Sequence, residues 1–251
     1  MSMEEIMEKI YTKDMQIPNI ATDRFGRMKT SWLLACLQEV AGEHSELLGA
    51  SNGEYNGRNL FWAVTRHKVE ITRLPEAKEN ITLQTWPCPT TRVAYPRATV
   101  AYDKQGNELF RAMSLWVLMD ADSRAMILPG KSGVLVEGIT TGREVGNPVS
   151  LAPAVGGNCV SRPVRYTDLD VNGHMNNTQY LNWVDDLLPS AFHRDHAAKE
   201  LTICYLNEAK EDQVLDLKWE LEDGLRVDAT CADPEDPEKS RRIFAAKILY
   251  G

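Results

Sequence analysis

The chain has few of the features that announce a partner or a compartment. Its apolar runs, such as Leu60 to Val64, stop after a handful of residues, where a membrane-spanning helix needs ~18–20. Its five cysteines (Cys36, Cys88, Cys159, Cys204 and Cys231) are scattered, odd in number and never spaced as C-x-x-C. That excludes a recognisable disulfide framework or zinc knuckle and predicts buried thiols in a reducing compartment. Basic charge is also scarce, since the formal net charge is −8; a nucleic-acid partner, which needs a basic face, is not expected. No Gly-rich phosphate loop or dinucleotide fingerprint occurs, and no cofactor or metal is expected. The N-terminal residues lack both the basic and apolar regions of a secretory signal and the Arg- and Ser-rich character of a transit peptide. A cytoplasmic location without a membrane span is expected.

What is present is ordinary globular composition, 43% hydrophobic and 25% charged over 251 residues. Charge is unevenly placed: acidic and basic residues balance through Leu135, and all of the negative excess lies from Val136 onward. The length is awkward for one domain and short for two, and an internal repeat accounts for it. TDRFGRM around Asp23 and LDVNGHM around Asp170 align at an offset of 147 residues, setting Gly26 on Gly173, Arg27 on His174 and Met28 on Met175.

Each copy of this loop leads into a helical pattern. In the first, Leu33, Leu37, Val40, Ala41, His44 and Leu48 recur at helical spacing, with Thr30 or Ser31 as N-cap and Gly49 as C-cap. In the second, Tyr180, Leu181, Val184, Leu187 and Leu188 recur, capped by Asn176 or Asn177 and stopped by Pro189. Helices of ~15 residues are expected in both copies. Extended segments follow each, and aligning VEITRLPEAKENITLQTW with ICYLNEAKEDQVLDLKW pairs Ile81 with Val214 and Trp86 with Trp219. Hairpin turns are predicted at Asp103–Asn107 and Glu222–Gly224, with long strands over Glu108–Asp120, Leu225–Ala232 and Arg242–Tyr250. A helix wrapped by an antiparallel sheet, occurring twice, is an α+β double hotdog. The expected organisation is a first repeat over residues 1–135, a linker over 136–157 and a second repeat over 158–251.

The densest polar cluster is Asp168-Leu-Asp-Val-Asn-Gly-His-Met-Asn-Asn177. Singly, an Asp or Asn before a helix is most often a cap. If the segment is extended, however, Asp170, Asn172 and His174 at i, i+2 and i+4 share one side. A carboxylate, an amide and an imidazole would then meet free N–H groups at a helix start, which suits polarising a carbonyl and holding a water. The first repeat has Phe25 and Arg27 in place of Asn172 and His174, so only the second keeps the set. His44 reads as a core histidine, and His193 and His196 as a spacing too sparse for a metal. The six tryptophans read as core.

At this point the sequence resembles a known family. DLDVNGHMNNTQYLNW is similar to the most characteristic motif of the acyl-ACP thioesterases, and NLFWAVTR (residues 59–66) and Leu33 to His44 resemble their first-half strand and helix. The resemblance runs from about residue 8 to 250. It implies hydrolysis of fatty acyl-ACP to free fatty acid, with acyl-chain binding in the first repeat and catalysis by Asp170, Asn172 and His174 of the D-x-N-x-H pattern. It adds Glu208 from a following strand. The cysteine often found after that Glu is Ala209 here, which removes a Cys–His–Asn mechanism and leaves either water or a carboxylate as the attacking group. In this reading Glu208 and His174 activate the water, Asn172 stabilises the oxyanion, and Asp170 orients Asn172 or His174. The implied partner is acyl carrier protein, met by a monomer or homodimer. Because that carrier is acidic, a basic patch is sought among Arg66, His67, Lys68, Arg73, Arg92 and Arg97. An acyl-CoA thioesterase, a hotdog dehydratase and a non-catalytic acyl-binding protein are the rivals.

Overall fold

A computed structural model describes residues 9–55, 57–154, 156–233, 236 and 238–251. The chain divides into two compact units, Met1–Pro148 and Val149–Gly251. The first unit contains β1 (Tyr11–Gln16), a 3-10 turn (Asn19–Ala21), α1 (Thr30–Leu47), β2 (Gly53–Tyr55), β3 (Arg58–Ile71), β4 (Asn80–Pro87), β5 (Tyr95–Asp103), β6 (Glu108–Asp120), β7 (Met126–Ile127) and α2 (Pro129–Ser132). The second contains β8 (Asn158–Pro163), a 3-10 turn (Tyr166–Asp168), α3 (Gln179–Asp185), α4 (Ser190–Asp195), β9 (Ala198–Tyr205), β10 (Val214–Glu222), β11 (Gly224–Ala232) and β12 (Ser240–Tyr250).

The strand order within the first unit is β1-β4-β5-β6-β3, with β2 on β3 and β7 on β6; within the second it is β8-β10-β11-β12-β9. Written from the strand before the helix, both follow the same path, first-third-fourth-fifth-second, and every pairing within them is antiparallel. The repeat read from sequence is therefore a repeat of topology. The hairpin turns fall where expected, between β5 and β6 and between β10 and β11.

Helix α1 buries Leu33, Leu34, Leu37, Val40 and Ala41 along one stripe, the leucines and the valine each worth up to about 1.5–3 kcal/mol when fully withdrawn from water. Its first residue is Thr30, and Lys29, without a capping side chain, holds the N-cap position. The C-terminus closes as expected: Gly49 takes φ +65°, its N–H donates to the Glu46 carbonyl, and that of Ala50 donates to the Ser45 carbonyl. This is the paired closure that a left-handed glycine permits.

Two expectations fail in the second unit. Its first helix spans only seven residues, because the chain turns at Asp186 to Leu188 and restarts at Ser190 behind Pro189. The strand alignment is also off by one. β1 pairs with β4 so that Gln16 faces Asn80, while β8 pairs with β10 so that Pro163 faces Val214. The pairing equates Asn80 with Val214, Ile81 with Leu215 and Leu83 with Leu217; Ile81, Leu83, Leu215 and Leu217 are all buried, and Val214 is exposed. Trp86 is wholly buried and Trp219 only partly, because a slip of one residue sends a strand side chain to the other face. Matching the two tryptophans by type misled the alignment.

Residues 136–157 carry no helix or strand among those described. Part of this stretch nevertheless lies on first-unit strands: Ile139 and Val145 join the Trp86 core cluster, Glu144 accepts the Trp86 indole N–H at 2.9 Å, and Arg143 stacks over that ring.

Two buried histidines give the fold a pH response. Burial and the neighbouring Arg97 guanidinium push the His44 imidazole down to about 4, and burial pushes His67, 2.7 Å from Ser114 Oγ, down to about 3. Unfolded histidines titrate near 6.5, so below that pH the unfolded chain gains protons that the folded chain refuses, and stability falls toward pH ~4. The urea midpoint should therefore be lower at about pH 5 than at about pH 7.5, and His67→Gln should shrink the difference. A wild-type midpoint unchanged between the two pH values would contradict this reading.

Candidate active site

The segment Asp170–His174 is a closed turn rather than the extended stretch expected. Asp170 N–H donates to the His174 carbonyl at 2.8 Å and Gly173 N–H to the Asp170 carbonyl at 3.0 Å. One carboxylate oxygen of Asp170 accepts the N–H of Asn172 at 2.8 Å and that of His174 at 3.3 Å. Gly173 sits at φ +74°, a conformation that costs a residue with a Cβ. Asp170 thus positions the other two through their backbones and not through their side chains. Asn172 is exposed on the turn.

The turn is then tied to a distant segment. Met175 N–H donates to the Ala209 carbonyl at 2.8 Å, and His174 forms a β-bridge with Lys210. This juxtaposition sets His174 Nε2 3.3 Å from Glu208 Oε2, with the imidazole 18% exposed and the carboxylate 47% exposed. The Glu208 segment is itself restrained. The N–H groups of Leu206 and Asn207 both reach the Ile243 carbonyl, and Asn207 Nδ2 donates to the Arg242 carbonyl at 2.7 Å.

Sequence reasoning assigned no role to two supports of this arrangement. Asp168 is buried and accepts the Arg165 N–H at 2.9 Å and the Trp183 indole N–H at 3.3 Å, so the turn is anchored to α3. Tyr180, on the buried face of α3, accepts a hydrogen bond from the Ala209 N–H; burial, with Glu208 and Asp170 nearby, holds its phenol well above the usual range. Both residues lie inside the motif, but their long-range partners do not. The helix start is less available than expected, because Asn176 Oδ1 accepts the Thr178 N–H at 2.9 Å.

The first unit builds the same turn without this chemistry. Asp23 accepts the N–H groups of Phe25 and Arg27, Gly26 takes φ +81°, and Arg27 bridges to Glu76 as His174 does to Lys210. Arg27, however, pairs with Asp23 at 3.1 Å, and the position two residues before Glu76, matching Glu208, is Leu74. The first unit's turn therefore lacks the imidazole–carboxylate pair that the second unit's turn carries.

Other candidates fall away. Cys204 is buried in β9, with its thiol directed to the Val149 carbonyl, and does not stand in for the missing cysteine at Ala209. His193 and His196 bond to the carbonyls of Asp185 and Phe192, and no cluster of three metal-ligating side chains occurs among the described residues. The sought basic patch is not continuous: His67 and Arg97 are buried, Arg73 is held by both Glu79 oxygens, and Lys68 pairs with Glu70. No helix among the described residues is long and apolar enough to cross a membrane.

Chemically, a carboxylate beside an imidazole nitrogen fixes the ring and stabilises the imidazolium formed when it accepts a proton. Placed on a solvent-accessible turn, the pair can activate a water.

Comparison with known proteins supplies the family. The acyl-ACP thioesterase N-terminal domain matches residues 8–128, and the acyl-ACP thioesterase C-terminal domain matches residues 158–241. An oleoyl-acyl carrier protein thioesterase of Coriandrum sativum is 26% identical over 72% of this chain and 54% of its own length. A palmitoyl-acyl carrier protein thioesterase of Gossypium hirsutum is 29% identical over 78% of this chain and 51% of its own. The chain spans about half the length of the curated relatives it matches. Among solved structures, an acyl-ACP thioesterase from Bacteroides thetaiotaomicron superposes with a TM-score of 0.87 at 22% identity over the whole of both chains. The 12:0-ACP thioesterase from Umbellularia californica does so at 0.75 and 20% identity over 96% of this chain and 97% of that one. These likenesses show the double-hotdog fold, and with both domains matched in order the chain belongs to the acyl-ACP thioesterase family.

Proposed function

We propose that this chain hydrolyses the thioester of fatty acyl-ACP, releasing a free fatty acid and the carrier thiol. The observation that carries the reading is the imidazole–carboxylate pair, His174 and Glu208 at 3.3 Å, in the repeat that retains D-x-N-x-H. His174, oriented by Glu208, takes a proton from water as its oxygen bonds to the thioester carbonyl carbon. The negative charge gathers on the carbonyl oxygen, where the exposed Asn172 amide donates to it. As the intermediate collapses, the C–S bond breaks and the imidazolium returns its proton to the departing sulfur. Asp170 holds Asn172 and His174 in register through their N–H groups.

The first unit contributes the acyl site in this reading. A cavity of about 270 Å³ lies between the C-terminal half of α1 and strands β3 to β6, with Ala41, Leu48, Trp62, Tyr95 and Trp116 on its walls. Its polar wall is one reason to expect selectivity there. A reducing compartment such as the cytoplasm fits the five free cysteines.

Thiol release from matched acyl-ACP and acyl-CoA series, about C8 to C18, tests the reading. His174→Ala and Glu208→Gln should each lower turnover by at least ~100-fold, the usual scale for a positioned acid–base group. Asn172→Ala should lower kcat by about 100- to 1000-fold with little change in KM, as loss of an oxyanion donor does. Faster release from CoA than from ACP would move the substrate to the rival class, and near-wild-type turnover in both His174→Ala and Glu208→Gln would refute the site.

A further inference from the structure

The wall of the first-unit cavity carries a charge that none of the described residues neutralises. Arg97, at the centre of β5, is only 6% exposed and lines this cavity. Its polar partners are His44 Nδ1 at 2.9 Å and Thr85 Oγ1 at 3.4 Å. Neither is anionic. His44 accepts from the guanidinium and is therefore an uncharged imidazole at that nitrogen, and the Thr85 hydroxyl already donates to the Ala98 carbonyl. Glu46, the one carboxylate lining the cavity, is exposed at its rim and is not paired with Arg97.

Burying a guanidinium away from water without a counter-charge is costly, and such groups are ordinarily paired. An entirely aliphatic occupant would leave the guanidinium without a counter-charge. A ligand whose chain carries an anionic oxygen group would supply one, because a guanidinium is a donor with no acceptor of its own.

We infer that the first-unit cavity recognises an aliphatic chain bearing a carboxylate, paired with Arg97. The inference deepens the acyl-binding reading above and rests on it for the identity of the chain. Two sources share this chemistry: the distal carboxylate of a carboxyacyl thioester, and the head group of a free fatty acid held as a product.

Calorimetric binding of dodecanoate against dodecanol to the full wild-type chain tests the charge without any variant. The carboxylate should bind at least about tenfold more tightly, the scale of a charge-assisted hydrogen bond. Arg97→Gln should abolish that preference. The thioester arm compares ω-carboxydodecanoyl with dodecanoyl pantetheine. A higher kcat/KM for the carboxylated chain, lost in Arg97→Gln, identifies a substrate tail. Competitive inhibition by dodecanoate without that preference identifies the product acid, and the inference holds in either case. Carboxylate binding that depends on Arg97, with no hydrolysis of any thioester, would overturn the thioesterase reading and leave the carboxylate site standing. Equal affinity for dodecanoate and dodecanol in wild type would overturn the inference and leave Arg97 as a fold residue.

Discussion

A carboxylate that has no need to touch substrate organises the candidate site. Asp170 gathers the N–H groups of Asn172 and His174 onto one oxygen and closes a turn that only a left-handed residue at Gly173 completes easily. Without that closure the backbone of His174 could not bridge to Lys210, and its imidazole would not be delivered to Glu208. Asp23 does the same in the first unit, where the turn carries Arg27 instead. The turn is thus a structural device common to both units, and chemistry is an addition to one of them.

The division extends to how polar groups are used. In the second unit Asp168 is satisfied by Arg165 and Trp183, and Asn176 by Thr178. In the first unit the cavity wall carries Arg97, a buried cation whose partners His44 and Thr85 bring no negative charge. A protein interior tolerates such an imbalance only at a cost, and sites that retain one are usually shaped for a ligand. In the proposed reading, catalysis and selection fall to different copies of one topology.

Much of the fold was legible because its signals are local. The helix stripe from Leu33 to His44, the closing Gly49, the hairpins at Asp103–Asn107 and Glu222–Gly224, and the β6 strand all depend on residues near one another in the chain. The registers were not legible. Pairing Trp86 with Trp219 looked natural by residue type, yet the antiparallel register sets the second strand one residue over and turns Trp219 to another face. The second helix was overestimated because Leu187 and Leu188 fit a helical stripe on paper, while Pro189 and the turn before it end α3 at Asp185.

By itself the sequence determined that there are two copies and that only the second keeps Asp170, Asn172 and His174 together. Each of these is a matter of identity or of spacing within a few residues. Tertiary structure alone decided that His174 meets Glu208, 34 positions away, that Tyr180 braces Ala209, and that Arg97 is a buried cation rather than part of a basic surface. The reason is physical: a side chain's partners across a sheet depend on register and face, which come from packing summed over the whole sheet and not from any short stretch of chain.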